Sequence, residues 1–200
     1  MVKSITEKCS AKINIAIDVL GKYPNGYHEV RMIMTQVGIF DVITISLKDE
    51  KGIEIAGSDI NMPVDESNLA WKAANEFFKA IKFDGGCDIY IEKHIPMGAG
   101  MAGGSSDAAG VINGLNKLFD SPLSLEERMK MGKKLGADVP FCVMGGCALA
   151  EGIGERLTVL PELPEVCYLI AKPRQSISTK WVYEHPVSYT HLTLPTNSRV

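Results

Sequence analysis

Between Pro96 and Gly110 the chain reads PMGAGMAGGSSDAAG, with glycines at 98, 100, 103, 104 and 110 and with Ser105, Ser106 and Asp107 just ahead of an apolar helical pattern. Residues of these types in this order make an anion site. Glycine adopts positive φ and lets a ligand approach where a Cβ would otherwise stand. The amides of the loop and of the first helical turn then point at one place, with the positive end of the helix dipole behind them. A phosphate chain fits such a place. Three assignments compete for it. A glycine cluster can be a bare turn, but here loop, hydroxyl pair and helix start are contiguous. Gly98, Gly100 and Gly103 also satisfy G-x-G-x-x-G behind the strand-like CDIYIE, the dinucleotide fingerprint of an oxidoreductase. That motif needs an acidic residue ending a second parallel strand, whereas Asp120 sits in a Ser-Pro turn just past the helix. The third assignment is the triphosphate loop of a kinase. No Lys-Ser/Thr follows the glycines, so the loop is not a Walker A motif and the lysine must come from elsewhere.

Other residues with chemical potential lie far away in sequence. Lys12 interrupts CSAKINIAIDVL, 9–20, where Ile13, Ile15 and Ile17 alternate with Lys12, Asn14 and Ala16. The period predicts a strand with the isoleucines buried and the lysine pointing off that face, where by residue type alone it is a solvated edge residue. Tyr27 and His28 follow the turn signal Pro24-Asn25-Gly26. Such a pair packs, or it stacks and hydrogen-bonds a flat heterocycle. Asp138 lies between a helix end at Gly136 and Pro140, where an extended chain is expected; by type it is a turn residue.

The elements that must position these groups follow from periodicity. Residues 30–49 predict two strands around Gly38, and IEIAG near 53 a further short one. SNLAWKAANEFFKAI, 67–81, predicts a helix capped by Ser67, with Ala70, Ala73, Ala74, Phe77 and Ile81 on one face and Gly85-Gly86 ending it. CDIYIEKH returns as a strand to the glycine loop. Ala108, Val111, Ile112, Leu115 and Phe119 form a stripe behind the loop. The next helix opens on a capping box, Ser124 and Glu127, and closes at Gly136. Glycines at 145, 146, 152 and 154 frame an apolar strand.

With 200 residues and 46% hydrophobic composition the chain can bury one good core, or a core and a small second lobe. A net charge of −3 provides no electrostatic footprint for nucleic acid. No apolar run reaches membrane-spanning length, and MVKSITEKCSAKINIAID has no signal-peptide character, so neither nucleic acid nor membrane is expected as a partner. Five cysteines, odd in number and without a C-x-x-C pair, suit free thiols in a reducing cytoplasm, and zinc-ligand spacing is absent. VCYLIAKP, 166–173, and STKWVY, 178–183, predict the start of a second lobe. From about Val187 the polar, Thr/Ser/Pro-rich VSYTHLTLPTNSRV resembles a cloning or assembly scar.

PMGAGMAGGSSDAA resembles the phosphate loop of the GHMP small-molecule kinases, whose pattern is Pro-x-x-x-Gly-Leu-Gly-Ser-Ser-Ala or a variant. Four more segments resemble that family in the same order: SAKINIAIDVLGKYPNGYHEV, DESNLAWKAA, LGADVPF and KPRQSISTKWVY. The resemblance runs from Cys9 to about Tyr183. It implies an α+β fold of two lobes, an N-terminal ribosomal protein S5 domain 2-like lobe over residues 1–160 and the start of a ferredoxin-like C-terminal lobe over 161–186, with 187–200 foreign. The C-terminal lobe of the family is incomplete in this chain. The activity implied is transfer of the γ-phosphate of ATP to a hydroxyl of a small acceptor carrying a cytidine diphosphate moiety, in non-mevalonate isoprenoid synthesis, with Mg²⁺ held mainly by the ATP phosphates. Lys12 and Asp138 are then catalytic. Asn68, Leu69, Lys93, Pro96, Gly98, Gly100, Gly103, Gly104, Ser105 and Ser106 border the nucleotide, and Asn14, Tyr27, His28, Thr179 and Tyr183 border the acceptor. Asp138 would take the proton of the attacking hydroxyl, Lys12 would keep Asp138 ionised, and Tyr27 and Tyr183 would sandwich the cytosine while His28 bonds its edge. The resemblance leaves a homodimer open. Another GHMP kinase, for homoserine or mevalonate, is the rival within the family; a nucleotide-binding module without catalysis is the rival outside it.

Overall fold

A hairpin of two long antiparallel strands, β1 (Ser4–Lys22) and β2 (His28–Lys48), organises the molecule, a computed structural model that describes residues 3–24, 26–161 and 163–172. One edge of β2 carries β1. The other edge is shared between two shorter strands: β5 (Cys147–Gly152) pairs with residues 30–35 and β4 (Gly86–Glu92) with residues 42–48. β3 (Gly52–Gly57) adds parallel to β4, and β6 (Arg156–Val159) antiparallel to β5, completing a six-stranded mixed sheet. Residues 36–41 of β2 lie between the two partners, and the candidate site is built around that handover.

Helices cover one face of the sheet. In β4 the side chains of Cys87, Ile89 and Ile91 are buried while Asp88, Tyr90 and Glu92 are exposed, the alternation of a sheet with one solvated face. The buried row joins Ile43 and Ile45 of β2 beneath α1 (Leu69–Ile81) and α2 (Gly103–Leu118). The predicted stripe of α2 is the buried one: Val111, Ile112 and Leu115 are fully enclosed, each stabilising by about 1.5–3 kcal/mol. Phe119, the C-cap of α2, meets the rings of Phe77, Phe78 and Phe83. Two glycines set the depth of α2. A Cβ on Gly110 would collide with Cys9 Sγ, and one on Gly114 would stand 2.9 Å from Ile45 Cδ1, so only a helix without side chains there reaches the sheet. α3 (Leu125–Leu135) opens on the expected Ser124–Glu127 capping box and closes at Gly136, and α4 (Val139–Met144) follows.

The α+β class holds, but several local expectations do not. Residues 28–48 are one strand and not two, because β1 pairs along both halves and carries the chain past Gly38. The cap of α1 is Asn68, whose side chain accepts from the Ala70 amide, while Ser67 donates to Asp65 at 2.6 Å. That helix ends at Lys82, left-handed at φ 56°, whose amide bonds the carbonyls of Phe78 and Lys79, before the glycines are reached. Gly86 instead opens β4, where a Cβ would collide with the Gly52 carbonyl. Asp138 is not extended: φ −83° and ψ −18° lead into α4, with Pro140 in the first turn where a missing amide costs nothing. The burial of β1 near Lys12 is also reversed, Lys12 being buried and Ile15 exposed. The five cysteines are free, and four are buried, leaving Cys167 exposed. Residues 163–172 carry neither helix nor strand, and Thr179, Tyr183 and the segment from 187 lie outside the described residues.

Candidate active site

The reversal at Lys12 has a cause in the β1–β2 ladder. Ser10 pairs with Phe40 and Lys12 with Gln36, so two steps on β1 oppose four on β2, a bulge that withdraws backbone groups from the ladder and re-aims side chains. Two of those groups find partners in the glycine loop. The Lys12 amide donates to the Met101 carbonyl at 3.1 Å, and the Ser10 carbonyl accepts from Ser106 Oγ at 2.6 Å. The bulge therefore ties the loop to β1 and turns the Lys12 side chain inward.

Lys12 Nζ lies 3.4 Å from Asp138 Oδ1 and donates to Asn14 Oδ1 at 3.1 Å. The lysine side chain is 5% exposed and that of Asp138 33%. A buried cation with a fixed acceptor thus stands beside a carboxylate that water or a hydroxyl can reach. Asp138 makes no capping bond to α4, so its carboxylate is not engaged by the helix it precedes.

The glycine loop reaches α2 through left-handed residues: Gly98 at φ 63°, Gly100 at 71° and Ala102 at 57°. Ala102 is the N-cap and offers no side-chain bond, although a helix start normally recruits a Ser, Asp or Asn oxygen there. The first bond across the cap is from the Ser106 amide to the Ala102 carbonyl at 2.8 Å. The amides of 103–105 precede any acceptor within the helix. An anion completes such a terminus. Pro96, Gly98, Gly100 and Gly104 are exposed along this rim, and Leu69, one residue past the Asn68 cap, comes within 3.8 Å of the Cβ position of Gly104. The starts of α1 and α2 therefore adjoin. The two serines differ: Ser106 is buried and spent on Ser10, while Ser105 is half-buried.

Beneath the loop lies a cluster of buried charges. Lys93 Nζ donates to Asp41 Oδ2 at 2.5 Å and to Asp107 Oδ2 at 2.7 Å. Asp41 Oδ1 accepts the amides of His94 and Ile95 at 2.5 and 2.8 Å. Burial pushes the Asp107 carboxyl up to about 7, with Lys93 opposing and Asp41 adding to the effect. Burial acts to lower Lys93, but the two carboxylates outweigh it and hold the ammonium above its ordinary range. Cys142, 3.4 Å from Ser106 Oγ, is pushed up to about 12 by burial, so it is no thiolate nucleophile. The sequence signal for Asp41 is its parity with Ile43 and Ile45, an acid on the inward row of an apolar strand.

The acceptor residues are less closely gathered. Asn14 is at the Lys12 pair. Tyr27 and His28 stand at the hairpin tip, where the Tyr23 amide bonds the Tyr27 carbonyl at 2.7 Å and His28 pairs with Lys22, ten residues along β1 from Lys12. Among the described residues no group of three or more His, Cys, Asp or Glu is placed to hold a metal, and no helix is long and apolar enough to cross a membrane.

The GHMP kinases N-terminal domain matches residues 68–146, from the cap of α1 through the glycine loop to the turn behind α4. A 4-diphosphocytidyl-2-C-methyl-D-erythritol kinase of Lachnospira eligens is 49% identical over 183 residues, 92% of this chain and 64% of that protein. The chain belongs to the GHMP kinases. The kinase of the same name from Lachnoclostridium phytofermentans is 51% identical over 90% of this chain and 62% of its own length, so the present GHMP kinase chain spans a little under two thirds of these relatives. Among solved structures, a 4-(cytidine 5'-diphospho)-2C-methyl-D-erythritol kinase superposes with a TM-score of 0.68 at 35% identity, over 78% of this chain and 55% of that one. Homoserine kinase from Cytophaga hutchinsonii, with a TM-score of 0.67 and 19% identity over 96% of this chain and 62% of that one, shares the fold.

Proposed function

We propose that this chain carries the nucleotide site and catalytic pair of an ATP-dependent kinase that phosphorylates the 2-hydroxyl of 4-diphosphocytidyl-2-C-methyl-D-erythritol, a cytoplasmic step of non-mevalonate isoprenoid synthesis. The observation that carries the reading is the buried Lys12 beside the accessible Asp138, next to a helix start left without a side-chain cap. The relatives that match nearly the whole chain are named for this acceptor. The triphosphate lies along the rim from Pro96 to Ser105, its β- and γ-phosphates on the amides of 98–105, with Asn68 and Leu69 bordering the adenine. Asp138 accepts the proton of the acceptor hydroxyl as that oxygen forms its bond to the γ-phosphorus and the bond to ADP breaks. Lys12 holds the carboxylate in place and offsets charge that develops on the transferring group. The exposed loop, rich in amides and poor in acidic side chains, suits a Mg²⁺ that arrives with the ATP phosphates, where it would neutralise their charge. Asn14, Tyr27, His28, Thr179 and Tyr183 are assigned to the cytidine-bearing acceptor, the last two from a C-terminal lobe that begins near residue 161.

The test is ADP release by the full-length gene product with a panel of acceptors. Turnover with the cytidylated methylerythritol, and none with methylerythritol phosphate lacking cytidine, homoserine or mevalonate, is expected. Turnover with homoserine or mevalonate alone would transfer the chain to a sister activity. ATP binding with no acceptor turned over would make it a nucleotide-binding module.

A further inference from the structure

The loop that holds the phosphates rests on three buried charged side chains to which the catalytic scheme gives no task. Asp41 is fully enclosed on β2, Lys93 lies just past the end of β4, and Asp107 sits in the second turn of α2. The two bonds of Lys93 Nζ, at 2.5 and 2.7 Å, join the central strand to the phosphate helix. Asp41 further accepts the amides of His94 and Ile95, which fixes the approach to Pro96. The ammonium also lies against the helix start: a Cβ on Gly103 would stand 3.3 Å from Lys93 Nζ and 3.2 Å from Ile95 Cγ2. Gly103 is therefore glycine on the inner side of the helix, to make room for Lys93, whereas a Cβ on Gly104 would meet only Leu69 Cδ1, in ordinary contact at 3.8 Å. Asp107 Oδ1 is buried without a hydrogen-bond partner, so the cluster leaves one of its polar atoms unsatisfied. Such an arrangement is costly, and its geometric product is one fixed position for residues 103–107.

We propose that Lys93 is a positioning residue: held between Asp41 and Asp107, it fixes the start of α2 at the height the nucleotide phosphates require, and it acts on nucleotide binding through Asp107 rather than by touching the nucleotide. This rests on the reading of the α2 start as the phosphate site. The short contacts on both sides of the ammonium leave it committed to the carboxylates, and its displacement would free the helix start to shift against β1 and β2. A shift of about 1 Å is enough to misplace a bound reactant group.

The test is a double-mutant cycle on ATP dissociation constants, measured by calorimetry with wild type, Lys93→Met, Asp107→Leu and the pair together. Each single substitution is expected to weaken ATP about tenfold and the pair by no more than about threefold beyond either single, since two groups acting as one unit are not additive. Asp107→Asn, which keeps an oxygen for Lys93, is expected to bind ATP within about threefold of wild type. Hydrogen exchange of the 103–106 amides without ligand should rise in both single variants. A purely structural role would lower the melting temperature and leave ATP affinity and amide exchange in the folded protein unchanged, which would overturn the proposal. A product of the single effects, about 100-fold in the pair, would mean that Lys93 touches the nucleotide itself. If Lys93→Met does not fold, Lys93→Gln takes its place in the same cycle. Failure of wild type to bind ATP would reject the phosphate-site reading, whereas wild-type binding with an additive cycle rejects only the positioning role.

Discussion

Gly104→Val separates a phosphate site from a turn. A Cβ at Gly104 meets a single atom within 4 Å, Leu69 Cδ1 at 3.8 Å, so the fold has room for the new side chain. Helix propensity shifts by a few tenths of a kcal/mol in favour of valine, and the melting temperature should stay within a few degrees of wild type. The two methyl groups then occupy the space from which a phosphate oxygen must approach the amides of 103–105. Losing one charge-assisted bond costs about 1.5–3 kcal/mol, and at roughly 1.4 kcal/mol per tenfold ATP affinity should fall about 10- to 100-fold. Gly103→Val serves as the contrast, because its Cβ enters the contacts at 3.2 and 3.3 Å with Ile95 and Lys93. Overpacking of about 1–3 kcal/mol should lower its melting temperature by about 2–12 °C, so its loss of binding says nothing about phosphates. Isothermal titration with ATP, paired with thermal melts, reads both effects. A Gly104→Val protein that melts like wild type and binds ATP within threefold of it would refute the phosphate-site reasoning.

Asp138→Asn and Lys12→Met should each lower kcat by about 10² or more while leaving the KM for ATP within a few-fold, since both act on the transferring group; steady-state kinetics decides it, and wild-type turnover in both would remove their catalytic assignment. Ser106→Ala, which deletes the 2.6 Å bond to the Ser10 carbonyl, should destabilise by about 1–3 kcal/mol. Ser105→Ala should instead melt like wild type and bind ATP more weakly, so calorimetry and melts should tell the two serines apart. Asp107 holds its proton to about pH 7 in the folded chain, against an ordinary value of 3.8. The folded state therefore binds more protons than the unfolded one between those values, and stability is greatest below about pH 4, falls as pH rises to about 7 and levels off above it, by roughly 4 kcal/mol at most. Asp107→Asn should flatten that slope and melt above wild type at pH 8; an unchanged slope in chemical denaturation at pH 5 and 8 would place the titration elsewhere.

Features fixed by neighbours along the chain are legible in the sequence itself. The glycine loop, the α2 stripe from Ala108 to Leu115, the Ser124–Glu127 box and the strand around Ile89 each depend on a local period or cap. What escapes a sequence reading depends on pairing across the sheet. The continuity of β2 past Gly38 comes from β1 lying along it, and the burial of Lys12 comes from a bulge whose freed backbone groups are taken by residues about ninety positions away. Strand parity alone puts Lys12 on the wrong side, because a bulge resets parity. Lys93 is assigned to the nucleotide by resemblance, and only the folded chain places its ammonium between Asp41 and Asp107. For Lys12 and Asp138, resemblance supplies the two residues and the fold supplies their 3.4 Å separation.

The most direct measurement is ³¹P NMR of the full-length gene product incubated with ATP, Mg²⁺ and 4-diphosphocytidyl-2-C-methyl-D-erythritol, run beside Asp138→Asn. The account predicts one new phosphomonoester resonance, growing in step with ADP in the wild type and more than about 100-fold slower in the variant. ADP formed with inorganic phosphate and no phosphomonoester, or a phosphomonoester that accumulates equally fast without the Asp138 carboxylate, would contradict it.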